Sequence, residues 1–287
     1  MPSPISILKR PLPPPTSAPT HEKYRYYPLV MAGFVTVLLC SNLIGPGKLC
    51  AFDLHANVLP DWSNDAGWHW TSLLIFGAGN LFFPISYIFD DVLTEVYGYA
   101  QARKVIWAGF GAMIFATIMA QVIIRLPLLG GIPGNQVMQD SIENVFRAGP
   151  RIIIASMIAF WAGDFANSYV LAKMKIWSKG RHLWMRTIGS TIVGEGLDSL
   201  IFYPIALTSW EPIMKSLGVT DPETLKFWGG WPAHEAVKVI IFNWIFKVMV
   251  EVLMTPVTYL VCGWLKRAES VDYYDRDTNF SPFSLKD

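Results

Sequence analysis

The sequence predicts an all-α integral membrane protein with six transmembrane helices and both termini in the cytoplasm. Three observations predict it. Of the 287 residues, 52% are hydrophobic and 16% charged, and the mean hydropathy is +0.35, more apolar than an average soluble domain. Six windows approach the roughly 20 apolar residues needed to cross a bilayer core. Lysine and arginine, finally, are concentrated in alternate loops.

The windows run roughly from Pro28 to Ile44, Trp70 to Phe89, Ala102 to Ile124, Arg151 to Leu171, Thr187 to Ser209 and Val237 to Gly263. Assigning alternate loops to each side puts Lys9, Arg10, Lys23, Arg25, Arg103, Lys104, Lys173, Lys175, Lys179, Arg181, Arg186, Lys266 and Arg267 together with both termini. That side is the cytoplasmic one by the positive-inside rule. The opposite loops hold Trp62, Trp68, Trp70, Trp210, Trp228 and Trp231, as expected of aromatic residues at an interface. Between the third and fourth windows, Val137, Met138, Ile142, Val145 and Phe146 have the spacing of one apolar side of a short surface helix. Residues 1–26 read as a proline-rich, disordered cytoplasmic arm, 27–265 as the transmembrane domain and 266–287 as a cytoplasmic tail.

Several function classes are disfavoured. A net charge of +1 offers no basic surface for nucleic acid. Cys40, Cys50 and Cys262 fit no metal spacing, and the five histidines form no pair at helical spacing, so neither a metal nor any other cofactor is expected. No phosphate-binding loop is present, so any ATP-driven step would need another chain. No nucleophile and base set is visible, and an enzyme is not expected. The expected surroundings are a small polar solute and the lipid bilayer; the oligomeric state is not fixed by the sequence.

Ionisable groups within spans cost on the order of 3 kcal/mol each unless paired or hydrated, so their positions carry the functional signal. In the second window and its end, Asp91 and Glu95 are four apart and share a helix face, with Asp90 rotated about 100° from it. Asp91 and Glu95 read either as site groups or as solvated carboxylates at a helix end; Asp90, nearer the apolar run, is the better site candidate. Pro84 frees a backbone carbonyl in the same segment. The fourth window has Asp164, Asn167 and Ser168, suited either to packing through hydrogen bonds or to ligand contact.

The fifth window carries the densest polar stripe. Thr191, Glu195 and Asp198 fall on one face with Ser190 and Ser199 beside it, and Gly189, Gly194 and Gly196 permit close approach. Two carboxylates at this depth need a proton, a cation or a donor-rich ligand. In the sixth window Asn243, Lys247 and Glu251 recur every four residues. Lys247 and Glu251 either neutralise one another or form a proton or charge relay with Glu195.

The strings SNLIGPGK (Ser41 to Lys48), FPISYIFDDVLTEVYGYAQARK (Phe83 to Lys104), PRIIIASMIAFWAGDFANSYVLAKMK (Pro150 to Lys175), LWMRTIGSTIVGEGLDSLIF (Leu183 to Phe202) and DYYDRDTNFSPF (Asp272 to Phe283) resemble the queuosine-precursor transporter family, also called the vitamin uptake transporter family. The resemblance extends from about Tyr27 to Phe283. Where the family often has glutamine, this chain has Glu195.

The resemblance implies a compact six-helix bundle in a bacterial inner membrane that imports 7-deazaguanines, namely 7-cyano-7-deazaguanine, 7-aminomethyl-7-deazaguanine or queuine, for transfer RNA modification. For such a base, Asp198 or Glu195 would accept the paired ring and amine N–H groups. Asn42, Asn80 or Asn167 would donate to its carbonyl, and Phe83, Tyr87 or Phe202 would stack on its face. Asp90, Ser190 and Arg186 complete the expected binding set. The alternatives are the substrate-binding component of an ATP-driven vitamin uptake assembly and a carrier of another purine-like solute.

Overall fold

The computed structural model describes residues 11–14, 24–43, 49–53, 73–146, 150–230 and 232–284. Within these, the side chains of 49–53, 73–77, 80, 81, 83, 84, 144–146, 150, 233–235 and 238 lie outside the description.

Among the described residues there are nine α-helices: α1 (Tyr27–Leu43), α2 (Phe83–Val92), α3 (Tyr99–Arg125), α4 (Asn135–Phe146), α5 (Pro150–Trp177), α6 (Leu183–Ala206), α7 (Glu211–Ser216), α8 (Pro222–Phe227) and α9 (Ala233–Glu269). At 1.5 Å per residue, α5 and α6 reach about 42 and 36 Å. The segments Tyr99–Arg125 and Val239–Glu269 are long and apolar enough to cross a membrane. The short helix expected between the third and fourth windows is α4, with Val137 and Met138 exposed on it.

One expected span is built differently, and the fold is not purely helical. The window from Trp70 to Phe89 contains the strand β2 (Leu73–Gly77), a 3₁₀ turn (Ala78–Phe82) and the start of α2. β2 pairs antiparallel with β1 (Leu49–Asp53), Leu49 opposite Gly77 and Asp53 opposite Leu73. The run Leu73 to Phe76 suits a strand as well as a helix, Gly77 and Gly79 punctuate it, and Pro84 opens a new helix at its first turn. The expectations for the arm up to Lys23, apart from 11–14, and for Trp62, Trp68, Trp70 and Trp231 fall outside the described residues.

The helices are apolar outside and polar within. On α9, Ile241, Ile245, Met249, Val252 and Leu253 are exposed, while Asn243, Lys247, Glu251, Thr255 and Thr258 are buried. That inversion suits lipid around the bundle, since water would solvate the reverse arrangement better. An apolar core of Val30, Phe34 and Leu38 with Val92, Val96, Val105, Cys262 and Leu265 joins α1, α2, α3 and α9 at one end.

Helices α5 and α6 make the closest pair, and two glycines explain it. A Cβ on Gly194 would lie 2.7 Å from the Asn167 Cβ and 2.9 Å from the Gly163 carbonyl oxygen; one on Gly163 would lie 3.0 Å from the Asp198 Cβ. Backbones therefore touch where Asn167 and Asp198 project.

After Val92 the chain makes a π turn (Leu93–Tyr97) and reverses at Gly98, at φ 85°. The tail then folds back over this end. The Tyr99 backbone N–H donates to both Asp275 carboxyl oxygens at 3.0 and 3.1 Å, and the Thr278 hydroxyl donates to Oδ1 at 2.9 Å. Burial pushes the Asp275 carboxyl above its usual range, and those donors oppose the shift. Arg103 donates to the Asn279 and Ser281 carbonyls at 2.7 and 3.1 Å, and Trp107 Nε1 to the Pro282 carbonyl at 2.8 Å. Chain entry is tied to the same end: the Arg25 and Tyr26 N–H groups donate to Glu269 at 3.0 and 2.6 Å.

Candidate functional site

Four helices bring the polar stripes together. From α6, Glu195 and Asp198 both accept from the Lys247 ammonium of α9, at 2.6 and 2.8 Å. Lys247 is 4% exposed, Glu195 14% and Asp198 25%, so Asp198 is the most open member of this triad. The Tyr87 hydroxyl of α2 faces Glu195, and Tyr203 of α6 faces the same three charges.

Beside the triad, Asp90 of α2 accepts from the Asn167 amide and, at 3.2 Å, from the Ser168 hydroxyl. Ser168 also accepts from the Thr94 hydroxyl at 3.0 Å. Asp164 Oδ2, Asn167 Oδ1 and Ser199 Oγ are buried, with no protein hydrogen-bond partner among the described residues. These buried acceptors lie next to a partly open carboxylate, and chemically they suit N–H donors.

The remaining candidates divide as follows. Asn42 donates to the Leu38 carbonyl at 3.0 Å and accepts from the Ser156 hydroxyl at 2.7 Å, which links α1 to α5. Ser190 donates to the Thr187 carbonyl within its own helix at 2.9 Å. Phe202 meets the Tyr203 ring edge-on at 5.2 Å. The side chains of Asn80 and Phe83 lie outside the described residues.

Arg186 belongs to a second cluster at the tail end. There Glu95 Oε1 accepts from Arg186 at 2.8 Å and Lys266 at 2.6 Å, with Lys175 3.6 Å away. Asp272 of the tail receives Lys175 at 2.7 Å and Lys266 at 2.8 Å. Glu95 is thus a buried ion-pair centre and not a solvated helix-end carboxylate.

Of the two readings of the α9 stripe, the pairing of Lys247 with Glu251 is not formed; Glu251 faces Asp91 of α2. Two groups escaped the sequence reading. Tyr203 could have been found four residues after Ser199 on the polar face of α6, whereas the contact between Asp91 and Glu251 depends on how α2 packs on α9 and has no local signal. At the opposite end, the Arg151 guanidinium donates to the Ile205 and Thr208 carbonyls and to those of Gly229 and Phe227 at 2.9 and 3.3 Å, over the Trp228 ring.

The family model described as "Putative vitamin uptake transporter" matches residues 77–261. The "Probable queuosine precursor transporter" of Bacillus subtilis (strain 168) is 28% identical over 182 residues, covering 63% of this chain and 69% of that protein. The "Queuosine precursor transporter" of Escherichia coli (strain K12) is 29% identical over 128 residues, 45% of this chain and 53% of that one. A "Probable queuosine precursor transporter" of Haemophilus influenzae is 29% identical over 140 residues, 47% and 54%. The chain therefore spans about half the length of two of these relatives. No solved structure matches. The match over residues 77–261 includes the stripes of α2, α5, α6 and most of α9, and the chain belongs to the vitamin uptake transporter family, a family of membrane transporters and not of enzymes.

Proposed function

We propose that this chain is a six-span carrier of a bacterial inner membrane that imports queuosine precursors of the 7-deazaguanine class. The spans would be α1, the segment from the 3₁₀ turn through α2 to the π turn, α3, α5, α6 and α9. Tyr26 and Glu269 meet at one end together with Arg103, Lys175, Arg186 and Lys266, and on the positive-inside rule that end, with both termini, faces the cytoplasm.

The observation that carries the reading is the set of partly open or unspent acceptors, Asp198, Asp164 and Asn167, beside Lys247. A 7-deazaguanine presents a ring N–H and an adjacent amine on one edge, which a carboxylate accepts as a pair. Asp198 takes that edge and Lys247, released in part from it, donates to the base carbonyl. Tyr87, Tyr203 and Phe202 flank the ring. The relatives' names support the choice of substrate class.

The test is queuosine content of transfer RNA in cells that lack precursor synthesis and their own carrier, supplied with 7-cyano-7-deazaguanine while expressing this chain. Restored queuosine supports the reading. No restoration despite confirmed membrane expression points to another solute or to a missing partner.

A further inference from the structure

A second pair of acids lies beyond the solute triad. Asp91 of α2 is 1% exposed and Glu251 of α9 is 0% exposed, and the two carboxyl groups face each other; among the described residues none of their four oxygens has a well-formed hydrogen bond from a protein N–H or O–H, the Thr187 hydroxyl being the donor that faces Glu251.

Among the described residues, no ion pair is formed to either carboxyl group. Along α2 and its π turn the neighbours are Asp90 and Glu95; from α6 they are Glu195 and Thr187. The Thr187 hydroxyl donates to the Trp184 carbonyl at 3.2 Å. Helix α1 has no charged residue, and α5 contributes Asp164 near Asp90 and Lys175 near Glu95. Cys262 of α9 lies within the field of Asp91 and Glu95 and also of Lys266 and Lys175. Four cations of these helices are engaged elsewhere: Lys247 with Glu195 and Asp198, and Lys175, Arg186 and Lys266 with Glu95 or Asp272. Two ionised carboxylates in contact, away from water, repel. One shared proton turns that repulsion into a charge-assisted O–H···O hydrogen bond.

We propose that Asp91 and Glu251 hold one exchangeable proton between them, and that this proton is the coupling ion of the carrier. The coupling role rests on the transport reading above; the proton site itself does not. Its position explains how coupling would work. Asp91 follows Asp90 directly, and Glu251 is one turn beyond Lys247 on the same face of α9. Helix α9 carries both Lys247 and Glu251, so a displacement of α9 that draws Lys247 away from Glu195 and Asp198 of α6 also moves Glu251 against Asp91 of α2. Water then hydrates both carboxyls and takes the proton from the neutral partner, leaving two carboxylates. Return of the helices requires a proton from water on whichever side is open. No redox step or further reactant is involved.

The experiment is pH-difference infrared spectroscopy on the purified full chain in lipid nanodiscs, alongside uptake of labelled 7-cyano-7-deazaguanine into proteoliposomes under imposed proton or sodium gradients. The expected result is a protonated-carboxyl band at neutral pH that is lost in Asp91→Asn and in Glu251→Gln, with uptake that responds to the proton gradient in the native chain and has lost that response in both variants. A native chain with no such band overturns the proposal without any variant. So does a band unchanged in both variants, or a response to sodium alone. If the probe is not transported at all, the band and its loss still decide the proton site, separately from the transport reading.

Discussion

The Lys247 ammonium lies 2.8 Å from the Asp198 carboxylate, joining the last long helix to the polar stripe of α6 across the middle of the bundle. Glu195 completes the triad at 2.6 Å. A single buried cation thus holds two carboxylates on one helix that would otherwise repel. Lys247→Ala leaves both carboxylates without it, and we expect a loss of about 3 kcal/mol, seen as a lower unfolding temperature in detergent, together with loss of uptake. Unchanged thermal stability would mean that the triad does not hold α6 to α9.

Gly194 and Gly163 let α5 and α6 touch. In Gly194→Ala the new methyl meets the Asn167 Cβ at 2.7 Å and the Gly163 carbonyl at 2.9 Å, so the helices must separate. The expected cost is about 1–3 kcal/mol, as for other overpacked contacts. Because Asn167 and Asp198 sit at this contact, solute binding should weaken more than stability does; binding measured beside thermal unfolding checks this. Gly111, with nothing within 4 Å of its would-be Cβ, is the control for a neutral glycine to alanine change.

Arg151 clamps the end of the bundle opposite the tail, with its guanidinium shared among carbonyls of α6 and of the α7 to α8 region. A lysine cannot reproduce that planar fork. Arg151→Lys should cost about 2 kcal/mol by leaving buried carbonyls without donors. Hydrogen exchange should rise first in residues 207–230, and a uniform rise across all helices would contradict the local role.

The tail behaves as a strap. Asp275 supplies the acceptor that the first N–H of α3 lacks, and Arg103 and Trp107 hold the next turns of the tail. Asp275→Ala should cost about 1 kcal/mol, the scale of a lost helix cap. Protease access at residues 276–284 should increase while the triad at Lys247 stays intact, as judged by unchanged solute binding.

Five of the six expected windows are legible in the fold because long apolar runs bounded by charge have few alternatives in a bilayer: α1, α3, α5, α6 and α9 each lie within a few residues of their windows, α5 and α9 both running further at their C-terminal ends. The window from Trp70 failed because a short apolar run does not distinguish strand from helix, and Gly77, Gly79 and Pro84 placed the break. In the site, spacing correctly grouped Glu195 with Asp198, since both lie on one helix. Of the two readings of Lys247, neutralisation by Glu251 within α9 and linkage to Glu195 of α6, the ion pairs follow the second, with Asp198 added. Contacts between helices are decided by packing, and the glycine pair that sets α5 against α6 could be read as permissive but not as specific. Arg186, counted as a cytoplasmic charge and as a site group, pairs with Glu95 in the cluster at the tail end.

The most direct test of the central claim is binding of 7-cyano-7-deazaguanine to the purified, detergent-solubilised chain, native and Asp198→Asn, by a titration that reads affinity. The account predicts saturable binding by the native chain and at least a tenfold weaker affinity in the variant, corresponding to about 1.4 kcal/mol. Equal affinity in a variant that unfolds at the native temperature would contradict the assignment of Asp198 as the group that receives the base.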